Sequence, residues 1–150
     1  SILVSNNTYK YNKNGKIKRE FHYWEGRLST ESTYKYNENG KIERISYYVE
    51  GNLQIKWTYK YDEKGILIEE IMDDSSRKLF YKIFYRYDEK GNLIEEIIYD
   101  SPRKFLKKYT YKEKNTYQYE YDEQKNWTKK IEFQNDIPKT FTEREYQYYE

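Results

Sequence analysis

The sequence predicts an all-β protein, an antiparallel meander of repeated hairpins folded as one twisted or curled sheet of ten to twelve strands. Three observations carry this. The chain of 150 residues contains no alanine and no cysteine, yet it has 21 Tyr, 6 Phe and 3 Trp. Aromatic and β-branched residues fit strands, whereas helices draw on alanine and straight-chain residues. Tyr-x-Tyr pairs recur at 9/11, 34/36, 59/61, 85/87 and 119/121, the first three steps being 25, 25 and 26 residues. Finally, all 6 glycines fall at turns of that repeat.

Each copy opens with a strand ending in Tyr-x-Tyr, followed by a turn such as Asn12-Lys13-Asn14-Gly15. A type I turn closed by a residue at positive φ gives a three-residue hairpin loop, and glycine suits the last position because a Cβ is disfavoured there. Gly15, Gly40, Gly65 and Gly91 hold that position, and Lys125 replaces glycine in the fifth copy. The turn sets Tyr11 opposite Ile17, Tyr36 opposite Ile42, Tyr61 opposite Leu67, Tyr87 opposite Leu93 and Tyr121 opposite Trp127. Strict alternation then places Arg19, Arg44, Glu69, Glu95 and Lys129 opposite the first Tyr of each pair, on the same aromatic face.

The second turn is Glu25-Gly26 or Glu50-Gly51, a two-residue type I′ loop that pairs Tyr23 with Leu28 and Tyr48 with Leu53, by alternation on that face too. In later copies it lengthens to 74–78, closed by Asp73 with Leu79, and to 100–104, closed by Tyr99 with Phe105. Residues 109–117 exceed the repeat and allow either an extra turn at 112–115 or one long, bulged strand. Residues 2–4 read as a first edge strand. An isolated hairpin is marginal in water, so the copies are expected to stack into a single domain over 1–150.

Charged residues make up 36% of the chain, and the net charge is +2. Residues 1–61 carry an excess of basic groups and 62–100 an excess of acidic ones, an unsuitable distribution for nucleic acid. Without cysteine there is no thiol catalysis, disulfide or zinc ribbon, and a single histidine, His22, cannot make a triad or a multi-histidine metal site. Alternation points His22 away from the aromatic face. No run approaches the length of a membrane-spanning helix. The chain begins at Ser1 rather than Met, as a mature or trimmed form would.

The pattern Tyr-x-Tyr-Asp/Asn-x-x-Gly-x-Leu/Ile, best seen in TYKYDEKGILIEE and FYRYDEKGNLIEE, resembles the YD repeats of bacterial Rhs and toxin-shell proteins over about residues 8–149. NGKIKREFHYWEGRL is also similar to a MORN-like repeat, over one copy. The YD resemblance implies a bacterial protein that is exported or displayed at the cell surface, built of long hairpins. The shell role it implies for the large families does not carry over, since so few copies cannot enclose a cargo.

Candidate sites follow from what the repeat leaves over. Ile66, Ile68, Met72, Phe80, Phe84, Ile94 and Ile98 read as an apolar band on the face away from the tyrosines, which curling of the sheet, a protein partner or a second copy would cover. Trp24, on that same outer face beside a tight turn, is a candidate for stacking on a glycan. Glu69 and Glu95, with Glu70 and Glu96 projecting to the other face, could form the paired carboxylates of a hydrolase. Asp73, Asp74 and Asp100 could gather a weak calcium ion, while Ser75, Ser76 and Ser101 stabilise their loops. The expectation is a non-catalytic structural or protein-binding module without a cofactor, with glycan binding and a carboxylate hydrolase as the alternatives.

Overall fold

The computed structural model describes residues 4–102 and 110–148. Eleven strands follow one another in an antiparallel meander that does not close, with no helix among the described residues. They are β1 Ser5–Tyr11, β2 Ile17–Trp24, β3 Arg27–Tyr36, β4 Ile42–Val49, β5 Asn52–Tyr61, β6 Leu67–Asp74, β7 Leu79–Tyr87, β8 Leu93–Pro102, β9 Thr110–Tyr121, β10 Trp127–Gln134 and β11 Ile137–Glu143. Two compact units are distinguishable, 4–82 with 100–102 and 83–99 with 110–148.

The turns form as their residues require. Gly15, Gly40, Gly65 and Gly91 lie at φ 73, 72, 78 and 84°, and Lys125 takes the same conformation at 66°. In each loop the backbone closes between the residue after the second Tyr and the residue after the glycine, as in Asn12 N to Lys16 O at 2.8 Å. The Asn or Asp side chain there adds a bond, Asp62 Oδ1 accepting from Ile66 N at 2.7 Å. Glu25-Gly26 and Glu50-Gly51 have positive φ at both residues, the type I′ geometry, and Asn135-Asp136 supplies a third such loop.

Pairings beside the turns match expectation: Tyr11 with Ile17, Tyr36 with Ile42, Tyr61 with Leu67, Tyr121 with Trp127, Tyr23 with Leu28 and Tyr48 with Leu53. One residue further on, the register slips. Lys18, Glu43, Ile68 and Thr128 are each an extra residue in the second strand of a hairpin, and Ser29, Gln54 and Lys139 are extra residues after the two-residue turns. A bulge of this kind sets two residues opposite one, and so inverts which face every later side chain takes.

The consequences for side-chain placement are large. Tyr9 faces Glu20, Tyr34 faces Ile45, Tyr59 faces Glu70 and Tyr119 faces Lys130. Arg19, Arg44, Glu69 and Lys129 instead pair with Lys10, Lys35, Lys60 and Glu120, on the face opposite the tyrosines. Tyr23/Leu28 and Tyr48/Leu53 lie on that opposite face as well, whereas His22 and Trp24 turn to the tyrosine side, each the reverse of strict alternation.

Residues 110–121 form one continuous strand, so the long segment is not a turn. β6 extends through Asp74 and leaves Ser75–Lys78 as the loop. Residues 2–3, the remainder of the 100–104 loop and Phe105 lie outside the described residues.

Among the described residues no apolar side chain is buried, so this sheet has no enclosed core. Stability comes instead from half-covered rings laid side by side and from polar links between copies. The Tyr36 hydroxyl donates to Ile17 O at 2.7 Å, that of Tyr61 to Ile42 O at 2.8 Å and that of Tyr119 to Leu93 O at 2.9 Å. The ammonium of Lys16 lies 5.3 Å from the Tyr36 ring and that of Lys41 5.5 Å from the Tyr61 ring, within cation–π reach. The cations on these two rings are therefore the lysines after the glycine turns, not Arg19 or Arg44. Arg19 pairs with Glu31 at 3.5 Å and Lys129 with Glu120 at 3.2 Å.

Candidate functional site

Glu69 and Glu95 each sit between two cations contributed by the strands on either side. Glu69 meets Lys60 at 2.8 Å and Lys82 at 3.1 Å, while Glu95 meets Arg86 at 3.4 Å and Lys114 at 3.0 Å. Burial raises the Glu69 carboxyl, but the Lys60 and Lys82 ammonium groups outweigh it and hold the group below the usual carboxylate range. A general acid needs the opposite shift, toward neutral pH. Glu70 and Glu96 lie on the tyrosine side, Glu70 directly across from Tyr59.

The apolar residues expected to form one band divide between the two faces. Met72 pairs with Trp57 on the tyrosine side, and Ile98 shares the strand face of Glu96, whose carboxylate reaches Asn115 on that side. Phe80 and Phe84 alternate with Tyr81 and Tyr85 and take the other face. Ile68 is a bulge residue, and Ile66 and Ile94 directly precede or follow the strand starts Leu67 and Leu93. Of these, Ile68 and Phe84 are the exposed ones. In the second unit Phe84 meets Tyr99 edge-on at 6.0 Å, and Tyr99 meets Tyr111 at 6.2 Å.

Trp24 is 46% exposed at the end of β2. His22 bonds Asn7 Oδ1 through Nδ1 at 2.6 Å. Asp74, buried, caps its own loop: Oδ1 accepts from Ser76 Oγ at 2.6 Å and from Arg77 N at 2.9 Å. Those bonds, the Ser76 one foremost, hold its carboxyl below the usual range. Asp73 pairs with Lys56 and Asp74 with Ile55, so neighbouring carboxylates diverge to opposite faces. No group of three or more His, Cys, Asp or Glu among the described residues could hold a metal ion.

No family profile matches the chain, and no curated protein does. A solved Bacteroides fragilis protein of unknown function is similar across 95% of this chain and 93% of its own, at 11% identity and a TM-score of 0.26. That likeness is too distant to bear on function. No described helix is long and apolar enough to cross a membrane.

A polar cluster on β9 and β10 escaped the sequence reading. Tyr117 pairs with Glu132, and Asn115 with Gln134, around an open depression of about 350 Å³ that Phe133 and Lys139 complete. Asn115 Nδ2 donates to Glu96 Oε2 at 3.0 Å, Gln134 Nε2 donates to Glu113 Oε2 at 3.0 Å, and Lys130 Nζ holds Glu132 Oε1 at 2.7 Å. Burial, with Glu96 and Glu132 alongside, pushes the Tyr117 hydroxyl up to about 12. The signal was present in the repeat: the rung occupied by Tyr117/Glu132 is Ser32/Tyr47 in copy two and Trp57/Met72 in copy three.

Proposed function

We propose that this chain is a non-catalytic protein-binding module, bacterial and exported or surface-associated as its YD-like repeats suggest, whose working surface is the sheet itself. The observation that carries the reading is the aromatic row Phe84, Tyr99 and Tyr111, with Phe84 37% and Tyr111 51% exposed on a sheet that has no buried apolar side chain among the described residues. Tyrosine and phenylalanine presented edge to face bring large apolar area at small entropic cost, which is what anchors protein interfaces. The ion pairs that neutralise Glu69 and Glu95 support the non-catalytic part of the reading.

Amine-reactive cross-linking in the producing culture, read by mass spectrometry, tests it. The expected result is a discrete adduct, to another protein or to a second copy, through Lys112 or Lys114 beside the row, and its loss in Phe84→Ser. A chain that sediments as a monomer and forms no adduct in any culture removes the proposal.

A further inference from the structure

We infer that the depression on β9 and β10 is a binding site for a neutral saccharide. The proposal stands apart from protein binding through Phe84, because it uses other residues and the opposite face of the sheet.

Copies two and three set Tyr47 and Met72 at the rung where copy five has Glu132 and copy one has His22, and one rung outward they pair Thr30 with Val49 and Ile55 with Asp74 where copy five pairs Asn115 with Gln134. Apolar side chains on these rungs stabilise the sheet by packing against cross-strand neighbours. A carboxylate and an amide in their place lose that packing in copy five. Polar groups retained at a structural cost point to a use.

Asn115 and Gln134 each donate one amide N–H to a carboxylate, Glu96 or Glu113, which fixes the amide and leaves its second N–H and its carbonyl oxygen for a ligand. Glu96 also lies alongside the Tyr117 hydroxyl. The depression therefore offers donor and acceptor side by side, twice over. A hydroxyl group donates one bond and accepts others, so a pair of neighbouring sugar hydroxyls satisfies such an amide and carboxylate together.

Lys130 pairs with Glu132 and Lys139 lines the depression, while the amides of Asn115 and Gln134 hold Glu96 and Glu113, so three carboxylates against two lysines leave one net negative charge, which disfavours a phosphate. At about 350 Å³ the space lies at the small end of ligand sites, suited to one sugar ring or the end of a short oligosaccharide. Being open, it suits a chain end or a side branch that continues into solvent.

The test is a nuclear magnetic resonance titration of the whole chain with glucose, galactose, mannose, xylose and N-acetylglucosamine, each as its methyl glycoside. The expected result is saturable movement of the side-chain amide resonances of Asn115 and Gln134 with at least one of them, at a Kd of about 1 mM. Glu132→Met, which restores the residue type of copy three, is expected to weaken that binding about tenfold or more while leaving the melting temperature unchanged or higher. A residue with only a structural role would show the reverse. If Glu132→Met does not fold, Gln134→Leu provides the same comparison. The proposal is overturned if none of the glycosides moves these amides, if inorganic phosphate or methylamine moves them instead, or if Glu132→Met binds as the natural chain does.

Discussion

The hydroxyl of Tyr61 donates to the backbone carbonyl of Ile42 in the preceding copy, 2.8 Å away, under the ammonium of Lys41. Tyr36 repeats the arrangement with Ile17 and Lys16. In copies two and three one tyrosine thus joins the hairpin to the one before it, which gives the second Tyr of the pair a purpose beyond apolar area. Tyr61→Phe is expected to lower stability by about 1 kcal/mol, a fall of roughly 2–4 °C in melting temperature for a chain of this size. Tyr11, 59% exposed, is the control, and Tyr11→Phe should be near neutral. Calorimetry on the two variants decides it.

Lys125 takes the backbone conformation that glycine holds in the other copies. An L-residue in that region is strained by about 1 kcal/mol relative to glycine. Lys125→Gly should therefore stabilise the protein, and Gly65→Ala should destabilise it by a similar or larger amount, because an added Cβ would also come within 2.9 Å of Lys41 Cε. Urea denaturation of both measures the pair of opposite signs.

Glu69 has a folded-state pKa below its ordinary value, so its ionised form stabilises the fold above the ordinary carboxylate range. That contribution is lost as pH falls through the depressed folded pKa. Glu69→Gln should cost about 1 kcal/mol at neutral pH, a figure kept small because Lys60 is largely exposed. Below the folded pKa the variant and the natural chain should converge. Denaturation midpoints at neutral and strongly acid pH test this, and a gap that stays constant would contradict it.

Asp74 holds the Ser75–Lys78 loop through two bonds to one carboxylate oxygen. Asp74→Ala orphans the Arg77 N–H and should cost about 2 kcal/mol. Asp74→Asn, which keeps the accepting oxygen, should lose less. Trypsin offers a local readout, since cleavage at Arg77 and Lys78 should accelerate in Asp74→Ala well before it does in Asp74→Asn.

Turn geometry was legible because it is local. Gly15, Gly26 and their counterparts specify the φ of single residues, and the pairs next to them, such as Tyr36 with Ile42, follow from loop length. Reading beyond the first pair failed at the bulges. An extra residue such as Ile68 has no signature of its own in composition, but adjacent polar residues like Glu69-Glu70 did break the alternation that was assumed to continue. That one-residue slip moved Glu69 onto the lysine-bearing face and brought His22 and Trp24 to the tyrosine side. The polar rungs of β9 and β10 were missed for a related reason: without the register, Asn115 and Gln134 are 19 residues apart and unconnected.

The amino-acid order by itself determined that this chain is a series of hairpins, where each hairpin turns and that strands follow one another in sequence. All three depend on the conformational range of single residues and on the period of side chains along a strand. Only the tertiary structure decided which face each charge occupies, which carboxylates meet cations and where the polar rungs gather. Those outcomes hang on bulges, and a bulge forms where twist and hydrogen bonding between strands are settled together, a balance that no single stretch of sequence contains.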